Sequence, residues 1–132
     1  MRAATPLGPA RSPEGVHAVL EDAFNRGDLD AYTDAFEPDA TLVVPPAGQT
    51  VHGHDDIRAS SASIVLSRPR ATIEVRSKLE ADGLALTQAH WHLVGTDPSG
   101  GVLELDGEGI IVSRRQRDGT WRIVIDNPLS AP

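Results

Sequence analysis

The chain of 132 residues contains no cysteine. That absence excludes disulfide frameworks, thiol nucleophiles, thiolate zinc sites and iron–sulfur ligation. No apolar run approaches the roughly 20 residues that a membrane span requires, so no membrane partner is expected. The opening stretch, MRAATPLGPARSP, lacks the apolar segment of a secretory signal, and a cytoplasmic location is expected. Basic residues are in deficit: 12 Lys+Arg stand against 19 Asp+Glu, a formal charge of −7. Phosphate neutralisation needs clustered Lys and Arg, so a nucleic-acid partner is not expected. There is no dinucleotide fingerprint, no ordered serine–histidine–acid set, no internal repeat and no low-complexity segment. The glycines between Gly95 and Gly101 come without the Lys-Ser/Thr of a phosphate loop and read as a turn.

What is present describes one globular domain. A chain of this length with 39% hydrophobic residues can bury a single core without staples. Residues 1–12 read as a flexible tail and residues 13–132 as the domain. Ser12-Pro13-Glu14 has the form of an N-cap, a proline at the first helical position and an acid in the first turn. Val16, Val19, Leu20, Ala23 and Phe24 follow at helical spacing, and Gly27 supplies a stop. Asp28 then caps a second short helix carrying Leu29, Tyr32 and Phe36. Ala40–Val44 reads as a strand closed by Pro45-Pro46, Gln49–His52 as its hairpin partner, and Asp55 to about Leu66 as a third helix. From there the apolar period becomes two, predicting strands over 71–79, 84–95, 102–113 and 121–127. This order predicts an α+β domain with helices on one face of a curved antiparallel sheet.

The segments Asn25-Arg26-Gly27-Asp28-Leu29-Asp30 and Phe36-Glu37-Pro38-Asp39-Ala40-Thr41 resemble the opening of nuclear-transport-factor-2-like, or SnoaL-like, domains. His52-Gly53-His54-Asp55-Asp56-Ile57-Arg58 is similar to their glycine-plus-helix segment. Trp91-His92-Leu93-Val94-Gly95 and Asp118-Gly119-Thr120-Trp121-Arg122-Ile123-Val124 resemble two strand signatures of the ketosteroid-isomerase-like branch. The resemblance implies a cone: a curved antiparallel sheet and three N-terminal helices enclosing a pocket. One such fold hosts isomerases, cyclases, dehydratases and non-catalytic association domains. Steroid isomerases of this kind carry an aspartate base just before a proline at the end of the first strand, where Val44 stands here. They carry a tyrosine donor on the first helix, where Leu20 stands here. A true steroid isomerase is therefore not expected.

Strand parity nominates other groups. In the last strand Arg122, Val124 and Asp126 share one face, and the resemblance places Val124 and Asp126 toward the pocket. Asp126 then reads as a general base with a raised pKa, or alternatively as a strand-end cap in solvent. Glu108 reads as its acid or oxyanion-donor partner across the hairpin, or as an exposed edge residue flanked by Gly107 and Gly109. Trp91, Tyr32, Val44, Val124, Leu20 and Phe24 are the expected pocket walls. His52/His54 and His90/His92 are two apart, without the third ligand a metal needs, so no metal and no cofactor is expected. His90 and His92 read as convex-face residues, and His17 as solvated. Arg114, Arg115 and Arg117 read as a solvated hairpin end. The function expected is proton transfer on an apolar, polyketide-like small molecule, with a non-catalytic binding or association domain as the alternative. Trp121, Ile123 and Ile125, joined by Ile111 and Leu86, are expected to form an exposed apolar face that pairs in a homodimer.

Overall fold

A computed structural model describes residues 7–129 of the protein. The first helix, α1 (Pro13–Arg26), starts because Ser12 Oγ accepts a hydrogen bond from the Gly15 amide at 2.9 Å. It stops because Gly27 adopts φ 67°, a left-handed turn that favours glycine. Asp28 caps α2 (Leu29–Asp34) by accepting from the Ala31 amide at 3.0 Å. Strands β1 (Phe36–Val44) and β2 (Gln49–His52) form a hairpin, followed by α3 (Gly53–Leu66). A four-strand meander completes the chain: β3 (Arg70–Ala81), β4 (Leu84–Thr96), β5 (Val102–Arg115) and β6 (Trp121–Asn127). No helix among the described residues is long and apolar enough to cross a membrane.

The strands form one curved sheet in the order β2-β1-β6-β5-β4-β3, and the fold is the expected α+β cone. The sheet is mixed rather than purely antiparallel, because β6 lies parallel to β1. An even number of meander strands returns the chain antiparallel to β3, and that direction brings β6 alongside β1. The first strand also begins earlier than its apolar run suggests. Phe36, expected on the second helix, is a fully buried residue at the start of β1. Pro38 falls where the β1–β6 register shifts, the kind of irregularity at which a strand accommodates a residue without an amide hydrogen. Part of the segment read as a flexible tail is docked: Ala10 is buried, and its carbonyl accepts from the Trp121 amide at 2.9 Å. Residues 1–6 of that segment lie outside the described residues.

On the concave face β4 alternates without a break, burying Ala85, Thr87, Ala89, Trp91 and Leu93 under the helices. Strand β6 does not alternate. Val112 pairs with Ile125 and Ser113 pairs with Ile123, so Val124 is an extra residue without a partner, a β-bulge. Before the bulge, Trp121 and Ile123 face the core; after it, Asp126 does. The expectation that Trp121, Ile123 and Ile111 lie on the outer face is thereby overturned, since all three are buried inside. Ile125 alone of the β6 trio is outward, at 43% exposure against 0% for Ile123.

The inversion has a direct test. Ile123→Ala should cost about 2–5 kcal/mol, as truncating a fully buried aliphatic does. Ile125→Ala, in urea unfolding of dilute protein, should cost less than about 1 kcal/mol. Equal costs at the two positions would contradict the bulge.

Candidate functional site

The concave sheet face and the helices enclose a cavity of about 610 Å³. Its walls are mainly apolar: Leu20 and Phe24 from α1, Leu42 and Val44 from β1, Trp91 and Leu93 from β4. Each apolar wall residue follows from local pattern, since Leu20 and Phe24 are one helical turn apart and the strand residues alternate. The Trp91 indole is fixed by donating from Nε1 to the Pro128 carbonyl at 2.8 Å. Gly107 and Gly109 make that arrangement possible. A Cβ on Gly107 would lie 3.0 Å from the Trp91 ring, and one on Gly109 would lie 2.9 Å from the Pro128 Cα. A side chain at Gly109 would run into backbone, and one at Gly107 would press on the Trp91 ring.

Beside Ser60, Ser61, Ser63, Ser67, Thr96 and Asp97, three polar groups from separate elements line this cavity. Asp126 stands at the end of β6, 8% exposed, with no hydrogen bond to its carboxyl among the described residues. Burial without compensation disfavours the charged form and pushes its pKa up to about 7. Tyr32 projects from α2, packed between Phe24 and Phe36 with ring centroids 5.3 Å away on each side. Its hydroxyl oxygen accepts from Ser61 Oγ at 3.2 Å, leaving the phenolic hydrogen available to donate. Burial first, and then the nearby Asp126 charge, raises the Tyr32 pKa, so the phenol stays neutral.

His17 completes the set, and its position corrects the expectation that it is solvated. It is 3% exposed, lines the cavity, and its Nε2 lies 2.6 Å from Thr87 Oγ1. Burial lowers its pKa to about 4, against a smaller opposing effect of Glu14. The ring is neutral at pH 7. Its spacing carried the signal: His17, Leu20 and Phe24 stand at i, i+3 and i+7 and share one edge of α1.

Of the residues nominated from sequence, Asp126, Trp91, Tyr32, Val44, Leu20 and Phe24 are brought together around the cavity. Glu108 and Val124 are not. Glu108 is opposite His90, not Asp126, whose partner on β5 is Ile111. It projects from the convex face and is hydrogen-bonded to His90 Nδ1. The even parity of Glu108 on β5 is set by Ile111 and Gly109 facing inward, so no shift of the hairpin turn restores it to the pocket. Val124 is spent in the bulge and is not a wall residue. The remaining histidines have other partners: His92 bonds Glu104 at 2.7 Å, His52 bonds Thr41 at 2.9 Å, and His54 bonds the Phe36 carbonyl at 2.7 Å. Among the described residues no group of three or more His, Asp or Glu side chains is arranged to hold a metal. Arg114, from the basic hairpin end, pairs with Glu37 at 2.9 Å.

The Asp126 carboxyl also affects stability, with a definite sign. Its raised pKa means that the folded state favours the protonated form, so its contribution is full below the ordinary value of 3.8 and is lost as pH rises through about 7. Asp126→Asn should therefore melt above the wild type at pH 8, by about 5 °C or more. The gap should shrink as pH falls toward 4. A variant melting below the wild type at pH 8 would count against an unpaired, buried carboxylate.

The profile of the SnoaL-like domain family matches residues 5–124. No curated protein matches the sequence at a significant level. Among solved structures, the chain is similar to a ketosteroid isomerase-like protein from Erwinia carotovora atroseptica, at 18% identity and TM-score 0.74, covering 86% of this chain and 88% of that one. It is similar to a candidate dehydratase of the nuclear-transport-factor-2-like family from Streptomyces avermitilis, at 16% identity and TM-score 0.69, covering 88% and 93%. It is equally similar in fold to a candidate calcium/calmodulin-dependent protein kinase II association domain from Xanthomonas campestris, at 18% identity and TM-score 0.74, covering 98% and 99%. Likeness at these identities carries the fold alone. The family profile, running through nearly the whole described chain, carries more: the protein belongs to the SnoaL-like domain family.

Proposed function

We propose that the protein is a cofactor-free enzyme of the isomerase, cyclase or dehydratase type, moving a proton on an apolar, polyketide-like small molecule held inside the cone. One observation carries this reading: an unpartnered, buried carboxyl, Asp126, faces an apolar cavity with its pKa near 7. A base poised near the working pH combines the right protonation state with adequate driving force. Asp126 takes a proton from carbon next to a carbonyl, and the Tyr32 hydroxyl donates to the oxygen on which negative charge develops. The protonated Asp126 then returns the proton at a second position or assists departure of a leaving group. The apolar walls exclude water and keep both interactions strong. We propose further that this chemistry takes place in the cytoplasm, in secondary metabolism.

A specific observation favours a second reading. Val44 and Leu20, which occupy the polar positions of steroid isomerases, both line the cavity as hydrocarbons, and an apolar pocket with few polar groups binds without transforming. The two readings separate in heavy water. Incubated with a panel of enolisable aromatic ketones, the enzyme should catalyse exchange of the α-hydrogens, seen by proton NMR. The rate should rise with pH through about 7, since the base must be ionised. Asp126→Asn should slow exchange by about 100-fold or more while the ketones still bind. Binding without exchange in the wild type would establish the non-catalytic reading.

We also propose a homodimer joined through the convex face, with a corrected set of residues. Register aligns Leu79, Leu86, Val112 and Ile125 in one row across β3, β4, β5 and β6. Leu79, Leu86 and Ile125 are exposed, and such a continuous apolar row is larger than isolated exposed leucines on soluble monomers. A two-fold pairing covers both copies at once. Light scattering at micromolar concentration should give twice the 14.0 kDa chain mass, and Leu86→Glu should halve it. A wild-type particle of single-chain mass would overturn the dimer.

A further inference from the structure

Three polar residues on the concave side stand in line. Asp126 pairs with Ile111 across β6 and β5, and Ile111 pairs with Thr87 across β5 and β4. Two strand spacings therefore separate Asp126 from Thr87, roughly 10 Å between backbones. His17 reaches down from α1 onto Thr87, so its ring and the Asp126 carboxyl stand at opposite ends of one row beneath the cavity.

His17 Nε2 and Thr87 Oγ1 lie 2.6 Å apart, and either can supply the hydrogen between them. The Ile111 carbonyl, 3.3 Å from Thr87 Oγ1, offers the hydroxyl hydrogen a second acceptor. With the hydroxyl turned to that carbonyl, its oxygen accepts from His17 and Nε2 carries the ring hydrogen. In a neutral imidazole the other nitrogen is then an acceptor. Nδ1 has no hydrogen-bond partner among the described residues. The ring is nine-tenths or more buried and lines a cavity whose neighbouring wall is Leu20 and Ala89. Nδ1 is not sealed off from the cavity, so a ligand that supplies a hydrogen there can bond it. The Thr87 hydroxyl, fully buried, is the partner that holds the ring in this orientation.

We propose that His17 Nδ1 is a substrate-recognition group that selects a small apolar molecule bearing a hydroxyl or N–H donor, placed about two strand spacings from the atom on which Asp126 acts. This deepens the proton-transfer reading and rests on it for the role of Asp126 alone. The substrate is then a fused or linked ring system with a donor at one end and an acidic carbon at the other. Thr87 is a positioning residue that acts through His17.

The test uses β-naphthol and its methyl ether, which differ in the donor, with binding followed by naphthol fluorescence and by competition. The wild type should bind the naphthol about tenfold tighter than the ether. His17→Leu should bring the two within about twofold, and Thr87→Val should weaken the preference by releasing the tautomer. Asp126→Asn should keep it. Nitrogen-15 NMR of the unmutated protein gives a readout independent of any folding defect. His17 Nδ1 should be unprotonated in the free protein, and its resonance should move on adding the naphthol but not the ether. A hydrogen on Nδ1, or a tenfold preference that survives in His17→Leu, overturns the proposal. So does loss of the preference in Asp126→Asn with retention in His17→Leu, which would place donor recognition at the carboxylate. Should ketone exchange fail while the naphthol preference follows His17, the proton-transfer reading falls and donor recognition stands.

Discussion

Across the β5–β6 hairpin, Val112 faces Ile125 and Ser113 faces Ile123, which leaves Val124 between them with no counterpart. One unpaired residue advances the pleat of β6 by half a period. With strict alternation, a strand that buries Trp121 and Ile123 against α1 and α2 would turn Asp126 outward into solvent. With the bulge, the same strand seals the core with its first half and carries a carboxyl into the cavity with its second. Every chemical property argued for Asp126 depends on that half-period: its burial, its missing partner and its pKa near 7. The outer face depends on it as well, because the bulge turns Ile125 out to join Leu86 and Val112.

Two of the ionisable groups that line the cavity, Asp126 and His17, affect stability in opposite directions with pH. Asp126 favours its protonated form in the folded state, so its contribution diminishes as pH rises from about 4 to about 7. His17 favours its neutral form, with its pKa lowered from 6.5 to about 4. Its contribution is present above 6.5 and diminishes as pH falls through that interval. Across the shared window one change offsets part of the other. A pocket that keeps both a base and an acceptor buried is thus less sensitive to acid than either group alone would make it. Both groups are neutral together between about pH 4 and about pH 7, the state with least electrostatic cost in an apolar enclosure.

The sequence is most legible where structure is local. Ser12-Pro13, Gly27 and Asp28 cap helices through bonds spanning three or four residues, and all of them act where their types and spacing imply. The uninterrupted alternation of β4 likewise places Trp91 inside and His90 outside. Legibility fails where the partner strand decides. The bulge at Val124 is a property of the β5–β6 pair, so strict parity places Asp126 correctly but Trp121, Ile123 and Val124 on the wrong faces. Glu108 is misplaced for a related reason. Gly107 and Gly109 look like weak points of register, yet they are the spaces into which Trp91 and Pro128 pack, and that packing locks Glu108 outward beside His90. His17 is missed because a histidine at the edge of an apolar stripe looks solvated unless its partner, Thr87 at a separation of 70 residues, is already in view.

Under the proposed proton transfer, the polar groups stand at other positions than in the steroid isomerases that the sequence resembles. There the base precedes a proline at the end of the first strand, where Val44 precedes Pro45 here. Strands β1 and β6 run parallel, and Leu42 pairs with Asp126. Asp126 is therefore one strand across and two residues back from Val44, with its side chain lining the same cavity. The proposed donor, Tyr32 on α2, likewise stands one helix away from the Leu20 position on α1. Each proposed group is displaced by one secondary-structure element: Asp126 stands on β6 beside β1, and Tyr32 on the helix that packs against β1. A proton taken at Asp126 would leave a different carbon of a bound ring system than one taken at Val44. The relocation thus argues for a changed reaction position within an unchanged enclosure. That is how one cone supports different proton transfers without a change of fold.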